Sequence, residues 1–261
     1  MESGLAIDLS GRVAFVTGGS RGIGAATVKL LARAGADVAF QYRNRKEDAD
    51  EVSAAVRAAG RRALAMPGGV TLRAPVAEMI DATVRELGGL DILVNNIGIW
   101  TDGPAGATSD AVWDETMAVN LRSSFLFTDC AVPHLLRREG RAPEASIVFV
   151  TSTAGQRGEA GHSHYAATKG AQISMTKSLS SELAARGVRV NAVAPGWVET
   201  EMNEGVFSDA AFRKSVELGI PVGRIATPED IAAPILFLCS NLARHITGEI
   251  VNVNGGSVLV G

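Results

Sequence analysis

Cysteine is scarce: the chain has only Cys130 and Cys239, far apart in apolar, helix-like runs. Two such residues make no disulfide framework and read as reduced core thiols of a cytosolic protein. Basic residues are not in excess either. Lys and Arg number 25 against 28 Asp and Glu, a net charge of −3. With no basic stripe, nucleic acid is not an expected partner. No apolar run approaches the length needed to span a bilayer. Residues 1–10 lack the basic stretch followed by an apolar one that marks a secretory signal. A soluble, cytoplasmic protein is expected, with neither membrane nor nucleic acid as partner. His-Glu-x-x-His is missing, and His162 and His164 have no third ligand placed beside them, so no metal site is expected. Linkers, repeats and low-complexity segments are lacking too. That leaves residues 1–261 as one domain, a usual length for the α/β class.

What is present is alternation. Residues 12–17 (RVAFVT) are β-branched and apolar on both faces, as in a buried parallel strand. Residues 22–34 place apolar side chains at helical spacing, and Gly35 stops them. Strand 37–42, helix 47–59, strand 63–66, helix 76–87 and strand 91–95 continue the series. A long helical stretch 111–138, strand 146–151, helix 165–186, strand 188–193 and short helices within 202–219 follow. Thr227-Pro228-Glu229-Asp230 opens another helix, with an N-cap hydroxyl, proline in the first turn and two acids facing the dipole. Residues 249–254 form a last strand. The pattern predicts an α/β fold: a single doubly wound, Rossmann-like domain whose central parallel sheet is flanked by helices on both faces.

Between the first strand and the first helix lies Thr17-Gly18-Gly19-Ser20-Arg21-Gly22-Ile23-Gly24. Glycine at 18 permits a sharp turn, at 22 a close approach of backbone to a pyrophosphate, and at 24 close packing of helix on strand. The helix N-terminus offers free N–H groups to phosphates. An acid about 20 residues on would bind the ribose 2′-hydroxyl of NAD, whereas arginine suits the 2′-phosphate of NADP. Here the second strand ends Gln41-Tyr42-Arg43-Asn44-Arg45, with no acid before Glu47. NADP(H) is therefore the preferred cofactor, and NAD(H) remains possible.

Ser152 stands at the end of the fifth strand, thirteen positions before Tyr165, and Lys169 follows four after that. On a helix, i and i+4 side chains share a face, so the ammonium is expected to lower the phenol's pKa and make Tyr165 a proton donor to a carbonyl.

Together the glycine turn, Asn95-Asn96-Ile97-Gly98, Asn120, Ser152, Tyr165, Lys169, Pro195-Gly196 and the stretch 248–256 resemble the short-chain dehydrogenase/reductase family over nearly the whole chain. Within it the likeness is greatest to the 3-oxoacyl-carrier-protein reductase and glucose dehydrogenase group. The resemblance implies Tyr165 as acid/base, Lys169 as its partner on the nicotinamide ribose, Ser152 as holder of the substrate oxygen, and Asn120 as holder of a relay water. It implies cofactor contacts from Gly18, Ser20, Arg21, Gly22, Ile23 and Gly24, from Tyr42, Arg43 and Asn44, and from Val70, Asn95, Gly98, Tyr165 and Lys169. Pro195, Gly196, Val198 and Thr200 would receive the carboxamide. Two departures stand out: Gly69-Val70 replaces Asp-Val, which removes an adenine contact, and Ile97 replaces Ala near the cofactor.

The activity so implied is reduction of a ketone or 3-oxoacyl carbonyl of a small molecule. The alternatives are an NAD-linked alcohol or sugar dehydrogenase and an idle NADP sensor. Loops 99–109, 155–164 and 198–220 should shape the substrate cleft. Trp100 and Trp197 stand either in that cleft or in the core. Arg186 reads as a helix-end cation, or as a contact to a carrier protein. The resemblance also implies a homotetramer assembled through the two long helices and the last strand.

Overall fold

A computed structural model describes residues 7–137 and 144–259. Seven parallel strands form one sheet in the order β3-β2-β1-β4-β5-β6-β7. They are β1 Val13–Val16, β2 Asp37–Tyr42, β3 Ala63–Pro67, β4 Ile92–Asn95, β5 Ala145–Val150, β6 Val188–Pro195 and β7 Ile250–Val253. Every residue of β1, β2, β4, β5 and β6 is buried. Their unbroken apolar runs are what a sheet covered on both faces requires.

Helices α1 Gly22–Arg33, α2 Lys46–Ala58 and α10 Pro228–Cys239 cover one face, packing Val28, Leu31, Val52 and Ile235 against Val16, Phe40 and Val148. The other face carries α3 Arg73–Leu87, α5 Ser123–Leu135 and α7 Ser163–Leu183, with Ile80, Phe127 and Leu183 on Phe15, Leu93 and Phe149. The chain reverses strand order between β1 and β4, so the carboxyl ends of these two strands open a crevice between their following loops. That is where such a sheet binds ligands.

Several boundaries depart from the sequence reading. The third helix begins at Arg73 rather than 76, with Pro75 in its first turn, where a missing N–H is harmless. β6 runs on to Pro195 because β7 pairs with it up to Val253. The long helix is α4 Asp110–Thr116, a π-helical turn Met117–Arg122 and α5, ending at Leu135. The expected end at 138 lies outside the described residues, as do residues 1–6. The short helices of the substrate region are α8 Glu201–Phe207 and α9 Ala210–Leu218; Thr227 is the expected N-cap of α10, and Asp230 returns the bond to the Thr227 backbone N–H. Cys239 is buried, but Cys130 is only half-buried and so not a core thiol. No helix of the described residues is long and apolar enough to cross a membrane.

Candidate active site

The carboxyl edge of the sheet holds a cavity of about 1030 Å³. Its phosphate end is the turn after β1. Gly18 takes φ +65°, a left-handed conformation that glycine adopts without strain, and its N–H donates to Gln41 Oε1 at 3.1 Å. Gly24 is needed for another reason. A Cβ there would stand 2.0 Å from Gly18 O and 2.7 Å from Asn96 Nδ2. Gly19 is equally tight, since its Cβ would meet Phe40 at 2.6 Å. Overpacking of this kind costs about 1–3 kcal/mol or more. Gly24→Ala is therefore expected to lower the denaturant midpoint and weaken nucleotide binding together. Unchanged values of both would show that the turn has slack.

Ser20, Arg21, Gly22 and Ile23 line the cavity, as do Tyr42, Arg43, Asn44, Val70, Gly98, Pro195, Gly196, Val198 and Thr200. Gly24 does not line it and acts through packing. Asn95 does not either. Its side chain is buried and donates to Thr128 Oγ1 at 3.0 Å. Asn96 is the residue that faces the crevice: its Nδ2 donates to Thr17 O at 3.0 Å and Gly18 O at 3.2 Å. Thr17 Oγ1 completes the junction by accepting from the N–H groups of Asn96 and Ile97 at 2.8 and 3.1 Å. A Cβ at Gly69 would meet nothing within 4 Å, so an acid there would have room.

Ser152 N-caps a short helix, α6 Thr153–Arg157, that the sequence reading missed. Its Oγ accepts from Ala154 N–H at 3.1 Å. Gly155 lets α6 lie directly on α7, because a Cβ there would stand 2.5 Å from the carbonyl carbon of Lys169. This contact brings the Ser152 hydroxyl close enough to Tyr165 to lower the phenol's proton affinity. Both residues line the cavity with Lys169, whose Nζ donates to Val150 O at 2.8 Å and lies 5.8 Å from the Tyr165 ring centre.

Burial governs both titrating groups. The Tyr165 phenol is pushed up to about 12, mostly by desolvation, with the Ser152 hydroxyl opposing and the Glu159 charge adding to the rise. Burial alone pushes the Lys169 ammonium down to about 7. The expected lowering of the phenol by Lys169 is thus reversed, since the ammonium is aimed at a strand carbonyl and is itself destabilised.

Asn120 sits in the π-helical turn, which displaces its backbone from an α-helical course. Its Oδ1 accepts from Ile99 N–H at 2.7 Å, and its Nδ2 donates to Ile99 O at 2.9 Å. Its carbonyl accepts from Ser124 Oγ and from Gln172 Nε2, both at 2.9 Å. Through the two side-chain bonds to Ile99, Asn120 anchors the start of the 99–109 loop.

Above Tyr165 the wall is aromatic. Trp100 stacks on His162 at 4.2 Å, meets Trp197 edge-on at 6.0 Å, and donates to Glu159 Oε2 at 3.3 Å. Both tryptophans line the cavity, as do Glu159, Met202, Val216 and Ile220. His162 is turned to Thr101 O at 2.8 Å and His164 to Thr101 Oγ1 at 3.1 Å. Arg186 ends the short 3₁₀ turn after α7, ahead of Gly187 in a left-handed conformation.

A family model described as enoyl-(acyl carrier protein) reductase matches residues 18–257. The 3-oxoacyl-(acyl-carrier-protein) reductase FabG of Thermotoga maritima is 37% identical over 258 residues, 96% of this chain and 99% of that one. Among solved structures, a Brucella melitensis short-chain dehydrogenase/reductase described as glucose/ribitol dehydrogenase superposes with a TM-score of 0.90. It is 32% identical and covers 98% of this chain and 100% of its own. A Beutenbergia cavernae protein, described as a candidate NAD(P)-dependent gluconate 5-dehydrogenase with bound NADP at low occupancy, gives a TM-score of 0.89. It is 34% identical, covering 96% of this chain and 98% of its own.

Proposed function

The chain belongs to the short-chain dehydrogenase/reductase family and is an oxidoreductase; from that premise we propose that it reduces a ketone or 3-oxoacyl carbonyl to the alcohol, reversibly, with NADPH. The observation that carries this reading is that Ser152, Tyr165 and Lys169 face the same cavity as the glycine turn and Arg21, Arg43 and Arg45. The donor set fits a dinucleotide phosphate. A helix N-terminus and a tight glycine turn suit the pyrophosphate, and guanidiniums in place of a strand-end acid suit a 2′-phosphate. Bound NADPH would supply the hydride to the carbonyl carbon.

Tyr165 gives its proton to the carbonyl oxygen as negative charge builds there, and the Ser152 hydroxyl donates a hydrogen bond to the same oxygen. With its pKa near 12, the phenol stays protonated through the neutral range, as an acid for reduction must. Alcohol oxidation, which needs the phenolate, is accordingly expected to gain rate as pH rises. Lys169, charged only up to about pH 7, contributes its ammonium in neutral to acid solution. Loops 99–109, 155–164 and 198–220 are the substrate walls in this reading, with Trp100 and Trp197 beside the apolar part of the substrate. A cytoplasmic homotetramer belongs to the same reading, supported by Phe125, whose side chain on α5 is 44% exposed.

Loss of NADPH absorbance with a panel of ketones tests the enzyme against a sensor, for which the cofactor would bind without being consumed. Arg43→Ala tests the cofactor. It is expected to weaken NADP binding about tenfold by removing a charged hydrogen-bond donor, leaving NAD affinity unchanged. Equal effects on both nucleotides would favour NAD-linked oxidation.

A further inference from the structure

The phosphate end of the crevice already holds an anion supplied by the chain itself. Glu201 is the first residue of α8, in the segment assigned to the substrate wall. Its Oε2 nevertheless accepts from Arg21 Nη1 at 2.6 Å and from Arg45 Nη2 at 3.0 Å. These arginines are the N-cap residues of α1 and α2, and both line the cavity beside Arg43. One anionic oxygen between two guanidiniums is the arrangement a phosphate monoester makes with the same donors.

The pairing also spans the crevice. The methyl of Thr200, next to Glu201, stands 3.3 Å from where a Cβ on Gly22 would lie. Asn203 Nδ2 ties the segment back to Val198 O at 2.8 Å. The start of α8 thus crosses the glycine turn, and Glu201 fastens it to the two arginines. The side chains of Arg21, Arg45 and Glu201 are 55%, 53% and 41% exposed, and ion pairs so open to water are weak and exchange readily. Arg45 has a second acid, Asp48 Oδ2, at 3.7 Å. For Arg21, Glu201 is the only ion-pair partner among the described residues.

We propose that Glu201 is an internal competitor for the 2′-phosphate of NADP(H). Its carboxylate occupies Arg21 and Arg45 until the phosphate monoester displaces it, and that exchange releases the start of α8 from the glycine turn. The inference rests on the NADP(H) reading above. No covalent bond changes; one anion replaces another on the two guanidiniums. NAD carries a hydroxyl at the 2′ position, has no charge with which to displace Glu201, and leaves the pairing in place. Glu201 therefore sets how far the protein prefers NADP over NAD, and it links occupancy of the phosphate site to the wall that carries Met202.

The test is calorimetric titration of the full chain with adenosine 2′-monophosphate, NADP and NAD. The proteins compared are the parent, Glu201→Gln, Arg21→Ala and the double variant. Glu201→Gln is expected to bind both 2′-phosphates about threefold to tenfold more tightly, as two exposed ion pairs would allow, with NAD affinity unchanged. In the Arg21→Ala background the gain should shrink or vanish. If Glu201→Gln leaves 2′-phosphate binding unchanged or weaker while Arg21→Ala weakens it, the competitor role is overturned and the NADP reading survives. If the parent binds NADP no better than NAD and Arg21→Ala alters neither, both are overturned.

Discussion

Tyr165→Phe is expected to lower kcat/KM for ketone reduction by about 100- to 10,000-fold, the range that one general acid contributes, while NADPH affinity stays nearly intact. The variant loses a single oxygen. Tyr165 is nine-tenths buried, and the neighbouring Ser152 hydroxyl keeps its bond to Ala154 N–H. Removing one hydroxyl's hydrogen bond costs about 1 kcal/mol of stability, so the protein stays folded. Lost turnover would then report chemistry rather than unfolding. Steady-state kinetics combined with NADPH titration checks this directly. A variant that kept most of its rate would place the proton donor elsewhere.

Lys169→Met is expected to produce two opposite changes: a loss of reduction of similar size and a gain in stability. Lys169 is buried, its ammonium donates to Val150 O, and burial holds it near 7 against an ordinary 10.5. Between those values the unfolded chain binds the proton and the folded chain does not, so parent stability rises with pH across that window. Below about pH 7 the folded state carries the full cost of a buried ammonium. Methionine removes that cost, on the order of a few kcal/mol, less about 1 kcal/mol for the donor lost to Val150. The melting temperature of Lys169→Met should therefore exceed the parent's at about pH 6 and converge on it near pH 10. In the parent, reduction should fall as pH rises through about 7, where Lys169 loses its proton. A variant less stable than the parent at about pH 6 would mean that the ammonium is well accommodated and burial is not its dominant influence.

Local pattern carried much of the fold. Buried β-branched runs such as VAFV and SIVFV, separated by helical periodicity, fix a parallel sheet, and all seven strands lie within two residues of where the alternation puts them. The glycine turn and the Ser152, Tyr165, Lys169 spacing were legible because each is set by neighbours in sequence. What escaped is set by distance or depth. Asn95 and Asn96 straddle a strand end, and which of them faces the crevice depends on where β4 stops. The α6–α7 contact hangs on a single Cβ missing at Gly155. Helical spacing places Lys169 beside Tyr165, yet it says nothing of how deeply both are buried, and depth decides the direction of both proton affinities. Glu201 meets Arg21 across 180 positions, a pairing no local window contains.

The most direct measurement is the fate of the hydride. Reduction of a ketone with NADPH carrying deuterium at both nicotinamide C4 positions, followed by mass spectrometry of the product, locates the transferred atom. One deuterium on the carbinol carbon per cofactor consumed, abolished in Tyr165→Phe, is the predicted result. Cofactor that binds but is not consumed with any ketone, or an alcohol formed without deuterium, would contradict it.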